Sequence, residues 1–339
     1  MKIELASKPE EYNELMNCNS STFYQSSKHL KFLEQILQVN AEFIVARENN
    51  ELIGVMPIFC KKSKLGTVIN SLPFFGSYGG IISKKMEVKK NILNFINEYN
   101  RKNNILASVI ISNPFESSEI YDKHYEFVDR VERIIQCVNL NNNSEKNVWE
   151  KFEQRVRRSI RKAEKNLVTI EYSEPTKEIV EDFYNYHVEN ISAKHGSIKP
   201  KEFFTCVKEN FANSKDYDIL TAKYESKPIA YLLVFYFKSH TEYYMPAYDI
   251  QNSNLQGSSL LIWESIKKSL AMNMKYYNFG GTHRIQDSVY NFKKGWGTND
   301  FNYNYYIYSD LDRLEEIGKE DLKRNFKNFY VYNYNKISN

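Results

Sequence analysis

Three stretches of the chain carry residue types that can do chemistry. The first is Tyr276-Tyr277-Asn278-Phe279-Gly280-Gly281-Thr282, with Asp287-Ser288-Val289-Tyr290-Asn291-Phe292-Lys293-Lys294-Gly295-Trp296-Gly297 close behind it. A strand ending in Gly280-Gly281 lets backbone approach a ligand closely and frees N–H groups, and a short helix after it presents one lysine inward. That combination suits an anion, although the spacing equally fits a tight strand-to-helix turn with a surface lysine. The second is Asn254-Leu255-Gln256-Gly257-Ser258-Ser259 before an amphipathic helix. Backbone amides at a helix N-terminus can hold a phosphate there, and a plain N-cap explains Gly257-Ser258 equally well. The third is Arg155-Val156-Arg157-Arg158-Ser159-Ile160-Arg161-Lys162-Ala163-Glu164-Lys165, with six positive charges. On a helix Arg158, Arg161, Lys162 and Lys165 share a face, which suits a phosphate-bearing partner or simply solvent. Aromatic interleaving of the single-strand-binding kind is absent from it.

Other chemistries find no support. There is no Walker loop, GxGxxG, GxSxG or HExxH. Cys18, Cys60, Cys137 and Cys206 form no CxxC pair, and His187 and His195 have no ligand spacing, so no metal and no disulfide framework are expected. The formal charge of +4 by itself implies no duplex-sized phosphate partner, so no DNA is expected, and it hides a concentrated +5 between Arg155 and Lys165, six positives less Glu164. No apolar run is long enough to span a bilayer and the start MKIELASKPEEYNELM lacks signal-peptide character, so a cytoplasmic protein with at most peripheral membrane contact is expected.

The elements that must position these stretches follow from periodicity. With 339 residues, 42% hydrophobic, and only 12 Gly and 8 Pro, the chain predicts two globular domains and no long linker. A strand at the start is followed by a helix after Ser7-Lys8-Pro9-Glu10 and another from Ser27, whose Leu30, Leu33, Ile36 and Leu37 share one face. Strands over 43–47, 52–60 and 67–72, a helix over 88–101, a strand over 105–111, a helical stretch near 117–123 and a strand over 131–140 complete the first half. The second half repeats the order: strand 168–172, helix 176–193, a helix entered through Pro200, strands 219–224, 229–238 and 241–247, helix 258–272, strand 276–279, helix 288–293 and strand 303–308. The turn-rich 139–147 marks the boundary, giving domains 1–143 and 144–310 and a helical extension over 311–339 with an aromatic end.

Strand, two helices, three antiparallel strands, helix, strand, helix, strand resembles the GNAT acyltransferase fold, and a tandem pair resembles the FemAB/FemX-like aminoacyl- and acyltransferase family. The fold class implied is α/β (α+β), two tandem GNAT-like domains with mixed, mostly antiparallel central sheets flanked by helices. Residues 276–297 look like that family's strand-Gly-Gly, then Asp-x-x-x-x-Phe-Lys-x-x-aromatic-Gly segment. The turn at Asn254–Ser259 is similar to the GNAT (Arg/Gln)-x-x-Gly-x-(Gly/Ala) pyrophosphate turn, with Asn254 and Ser259 as departures. The basic run resembles the family's RRNIRKAEK-like segment. Thr22-Phe23-Tyr24-Gln25-Ser26 with Lys31, and Ser71 to Gly80, resemble its N-terminal motifs, with Ser77 where Pro is usual.

The resemblance implies N-acyl transfer onto an amine of a cell-envelope precursor, an amino sugar of a surface glycan or a peptidoglycan peptide, in a cleft between the domains. Lys293 would contact the donor and stabilise the oxyanion. Asn254, Gln256, Gly257, Ser258, Ser259, Gly280 and Gly281 would bind the donor. Lys31, Tyr78, Arg158, Arg161, Phe292 and Trp296 would bind the acceptor, a small molecule or a lipid- or nucleotide-linked glycan. No permanently bound cofactor is implied; acyl-CoA or aminoacyl-tRNA would serve as donor co-substrate. An ammonium cannot attack, so a base is required, and Asp287, His283, Tyr248 and Asp249 are candidates by position. Two rivals remain: a peptidoglycan bridge-forming peptidyltransferase using aminoacyl-tRNA, and a non-catalytic module that binds an anionic glycan.

Overall fold

The computed structural model describes residues 1–17, 20–74, 76–194, 196–282 and 286–337. In chain order the elements are β1 (Lys2–Ala6), α1 (Tyr12–Asn17), α2 (Ser27–Leu37), β2 (Ala41–Glu48), β3 (Glu51–Ser63), β4 (Gly66–Asn70), α3 (Met86–Lys102), β5 (Ala107–Ile111), α4 (Glu119–His124) and β6 (Asp129–Asn139). They continue with α5 (Glu145–Lys151), α6 (Gln154–Lys165), β7 (Thr169–Ser173), α7 (Lys177–Ser192), α8 (Phe203–Asn210), β8 (Tyr217–Tyr224), β9 (Lys227–Phe237) and β10 (His240–Tyr248). Last come α9 (Gly257–Ala271), β11 (Tyr276–Thr282), α10 (Asp287–Lys294), β12 (Asn299–Ser309), α11 (Leu311–Ile317) and α12 (Lys319–Asn325). The ten-element order expected for each half is present twice, with α5 and α6 between the copies.

The chain forms two compact units, one of residues 1–134 with 302–339 and one of residues 135–301. These bounds differ from the contiguous division that element order suggests. β12 pairs with β5 in the first unit, Tyr305↔Ile111 to Ser309↔Ala107, whereas β6 is divided, its residues 129–134 in the first unit and its end, beside β11, in the second. The helical extension accordingly belongs to the first unit.

In the first unit the strands run β1-β2-β3-β4-β5-β12, antiparallel except for three parallel rungs between β4 and β5 that end at Asn70↔Val109. Ile44, Met56, Ile69 and Ile110 of the sheet bury against Val88, Ile92 and Ile96 of α3, the apolar face that its periodicity predicts. The two N-terminal motifs meet each other. Gln25 donates from Nε2 to the Gly80 carbonyl at 2.9 Å, and Thr22 Oγ1 donates to the Tyr78 carbonyl at 2.7 Å. A Cβ on Gly79 would lie 2.5 Å from Gln25 Cδ, so only glycine fits. The C-terminal segment seats at the end of the β4–β5 ladder. Tyr330 and Asn70 exchange two hydrogen bonds of 2.8 Å, the Phe74 N–H donates to the Asn328 carbonyl at 3.0 Å, and Phe329 and Val331 are buried.

In the second unit the order is β6-β11-β10-β9-β8-β7. β7 to β10 are antiparallel and β10 is parallel to β11. One face packs on α6 and α9 through Leu220, Leu232, Val234, Ile160, Leu261 and Ile266. On the other face Phe183 of α7 stacks on Tyr231 and Phe203 of α8 stacks on Tyr244.

Candidate active site

The second unit has an opening built into its sheet. β10 and β11 share three parallel rungs, His240↔Tyr276, Thr241↔Tyr277 and Glu242↔Asn278, and both strands then continue without further pairing to each other among the described residues. Three local features explain the parting. A bulge between Tyr243 and Met245 bends β10. Pro246, two residues on, has no N–H to offer a ladder. On the other side Gly280 takes φ +75°, and its N–H donates to Asn278 Oδ1 at 2.8 Å in place of a strand partner. A Cβ on Gly280 would meet nothing within 4 Å, so the space beside this backbone is open.

The floor of the opening is polar and buried. Glu242 is buried and accepts from Asn278 Nδ2 at 2.8 Å, so Asn278 links the carboxylate to the Gly280 N–H. Burial, and then the Glu242 charge, push the Cys137 thiol well above its ordinary pKa, while Lys293 opposes this.

Lys293 enters from α10 and is itself buried. Its Nζ donates to the carbonyls of Gly280 at 2.9 Å and Gly281 at 3.0 Å and to Thr282 Oγ1 at 2.7 Å, which uses the three donors of an ammonium. Burial pulls its pKa down to about 7, with Cys137 acting weakly in the opposite sense. Thr282 Oγ1 in turn donates to Gln136 Oε1 at 3.2 Å. The segment after Lys293 is held by close backbone packing: a Cβ on Gly297, whose φ is +69°, would lie 2.8 Å from the Lys151 carbonyl oxygen. Arg155 Nη2 donates to the Asn291 carbonyl, tying the start of α6 to α10.

α9 begins a short turn after β10. Gln256 adopts φ +62°, and the Ser259 and Leu260 N–H groups donate back to its carbonyl. The Gly257 and Ser258 N–H groups head the helix, where the dipole favours an anion. Gly257 also has a packing reason: its Cβ would lie 3.0 Å from Ile229 Cδ1 and 3.2 Å from Ala222 Cβ. Parted parallel strands beside a helix N-terminus can hold a donor's phosphates at the helix and its acyl group between the strands.

Comparison with known proteins agrees with this geometry. Residues 150–294 match the acetyltransferase (GNAT) domain family. This unit is a GNAT-type acyltransferase domain. The whole chain has the fold of tandem GNAT proteins. It resembles the crystal structure of FemX with TM-score 0.69 and 13% identity, over 90% of this chain and 97% of that one. A tandem GNAT protein from the clavulanic acid biosynthesis pathway matches with TM-score 0.55 and 8% identity, over 91% and 98%. The C-terminal domain of a putative lysylphosphatidylglycerol synthetase from Agrobacterium fabrum matches with TM-score 0.56 and 11% identity, over 89% and 93%. No curated protein matches the chain.

Within the GNAT domain the residues expected from sequence fall into distinct settings. Gly280, Gly281, Lys293, Gly257 and Ser258 belong to the opening and the helix that follows it. Asn254 is exposed in a helical turn, and Ser259 Oγ leans to Gln256 Oε1 at 3.5 Å. Tyr248 is half-buried, and its backbone exchanges two hydrogen bonds of 2.9 Å with Asn190 of α7. Asp249 accepts from the Gln251 N–H and Asn252 Nδ2, a turn-forming role. Asp287 is exposed in the first turn of α10, and His283 lies outside the described residues. Phe292 is 42% exposed and edge-on to Phe279. Arg158 and Arg161 lie on the solvent face of α6, opposite buried Val156, Ile160 and Ala163, and the Arg161 guanidinium stands 5.5 Å from the Trp149 ring.

Two expected contact residues have core positions instead. Trp296 is 1% exposed against Phe152 and Phe279. Tyr78, in the first unit, is fully buried between Tyr24 and Tyr303. Large aromatic rings gain most by burial, which explains both. Lys31 is exposed on α2. Glu242 and Asn278 were missed from sequence, although an acid amid the β-branched and aromatic residues of Thr241-Glu242-Tyr243-Tyr244 was a visible signal.

Proposed function

We propose that this protein moves an acyl or aminoacyl group onto an amine of a cell-envelope precursor, with the donor held in the opening between β10 and β11. The observation carrying this reading is the parted ladder with the Glu242–Asn278–Gly280 hydrogen-bond chain at its base and the start of α9 at its mouth. The equivalent place in the first unit supports it by contrast, since the chain's own segment 328–331 occupies the end of the β4–β5 ladder. This contrast favours the second unit's opening as the functional one.

The chemistry asks little of covalent catalysis. The acceptor nitrogen attacks the donor carbonyl, the C–S or C–O bond breaks, and the amine's protons leave through a base. Holding amine and acyl carbon in attack geometry supplies on the order of 7–11 kcal/mol when well aligned. Lys293, with its donors committed to residues 280–282, acts in this reading as a positioning residue that fixes the end of β11. The likeness to a lysylphosphatidylglycerol synthetase domain supports an aminoacyl ester donor, and the GNAT family match supports a CoA thioester. The exposed basic face of α6 suits a phosphate-bearing acceptor.

The test offers acetyl-CoA or lysyl-tRNA as donor, and glucosamine 6-phosphate or a lysine-containing UDP-muramyl pentapeptide as acceptor. Acceptor-dependent release of thiol, or deacylation of the tRNA, is the expected result and identifies the donor class. Acceptor binding without either release would identify a non-catalytic glycan module.

A further inference from the structure

α6 carries a stripe of positive charge that the fold leaves uncompensated. Val156, Ile160 and Ala163 are buried in the core, and Arg158, Arg161, Lys162 and Lys165 stand exposed on the other side of the helix. The four lie within an arc of about 100°. Glu164 is the single acid in the helix. Among the described residues no carboxylate pairs with any of the four, whereas Arg155 pairs with Glu153 at 2.6 Å and Lys267 of α9 pairs with Glu264 at 2.7 Å. Like charges one turn apart repel each other, so α6 keeps this stripe against its own stability.

Aromatic and apolar groups lie beside the charges. Trp149, partly buried under Arg161, stands 5.3 Å from Trp263 of α9, and the Lys267 ammonium lies 5.9 Å from the Trp263 ring. Tyr172, 47% exposed on the edge strand β7, has the Lys268 ammonium 4.3 Å from its ring centroid. Leu167, directly after the helix, is 81% exposed and adopts φ +57°. Its N–H donates to the Glu164 carbonyl at 2.9 Å and the Val168 N–H to the Ala163 carbonyl at 3.1 Å, a helix ending that ordinarily takes glycine at this position. A leucine there is strained and gains nothing from burial in the fold.

We propose that this face docks the second unit on an anionic phospholipid surface, with the α6 cations at headgroup phosphates and Leu167 reaching past them. A cluster of four cations on one helix face has the charge that such a surface attracts. The apolar side of α6 is committed to the core, so the helix does not insert as a free amphipathic helix does, and the contact is one of headgroups. Half-exposed aromatic rings under cations suit the same polar–apolar boundary. RNA offers phosphates too, but it gives an outward leucine no apolar environment, and no aromatic ring interrupts the stripe for a base to stack on. The docking goes beyond the transfer proposed above and is tested without any donor, so failure of one leaves the other standing.

The experiment is co-sedimentation of the full chain with vesicles of phosphatidylglycerol and phosphatidylcholine in equal parts, against vesicles of phosphatidylcholine alone. Wild type should bind the anionic vesicles, release them as salt is raised, and leave the neutral ones unbound. Lys162→Gln with Lys165→Gln should weaken binding roughly fivefold for each charge removed, about 25-fold for the pair. Leu167→Gly should weaken it severalfold while melting at or above the wild-type temperature, because glycine accepts the left-handed conformation. A residue with a purely structural role would not separate the two readouts in that direction. No binding to anionic vesicles, equal binding to neutral ones, or wild-type affinity in either variant would overturn the inference. Uncharged tRNA that binds wild type and not the lysine variant, with no vesicle binding, would identify an RNA face and overturn it as well.

Discussion

Asn278 donates to the buried carboxylate of Glu242 at 2.8 Å across the last rung that β10 and β11 share. Through its Oδ1 the same side chain receives the Gly280 N–H at 2.8 Å, so one amide joins the floor of the opening to the bend in its wall. The GNAT domain opens where it does because the ladder stops there and this amide takes over.

Replacing Asn278 with Ala removes both bonds. The buried carboxylate loses a donor and the Gly280 N–H loses its acceptor, which should cost about 1–3 kcal/mol in a urea-unfolding measurement. Transfer activity should fall at least tenfold, because the bend at Gly280 is no longer fixed. Glu242→Gln keeps an acceptor toward Asn278, so its midpoint should move much less than that of Asn278→Ala.

Lys293→Met should remove three hydrogen bonds and a pH dependence. The folded-state pKa of Lys293 is depressed to about 7 against an ordinary 10.5. Between those values the unfolded chain binds more protons, so stability rises with pH. Below about pH 7 both states are protonated and the penalty is fully present. The difference in unfolding free energy between wild type and K293M should therefore grow in favour of wild type from pH 7 to 9, and a difference independent of pH in that window would contradict the burial of this ammonium. Activity should be lost in K293M together with stability, since the lysine holds residues 280–282.

Gly280→Ala separates backbone strain from site occupancy. With φ +75° the substitution should cost on the order of 1 kcal/mol, while its Cβ meets nothing in the folded chain. The added methyl group projects into the open space, so KM for the donor should rise more than stability falls.

Arg158→Glu with Arg161→Glu changes only the exposed face of α6. Thermal stability should shift by less than about 0.5 kcal/mol. If the acceptor bears phosphate, KM for it should rise severalfold, and the wild-type KM should itself rise with salt. An unchanged KM would assign these arginines to solvent.

Much of this architecture was legible in the sequence. The order of elements follows from period-two and period-3.6 patterning with turn residues between, and those signals are local. The pairing of β12 with β5 was not legible, because strand order along a chain carries no record of which distant strand a strand will pair with. At the site, Gly280-Gly281 and Lys293 were found at once, yet their roles depended on burial: Lys293 turned inward to three backbone and side-chain acceptors. Trp296 and Tyr78 were read as contact residues from the family resemblance, and both lie in the core.

The most direct test of the central claim is backbone amide exchange with and without donor. With acetyl-CoA or lysyl-tRNA bound, amides of 242–248, 257–259 and 278–282 should exchange more slowly while the β4–β5 region of the first unit is unchanged. Protection at residues 66–80 with none in the β10–β11 opening would contradict the placement of the donor in the second unit.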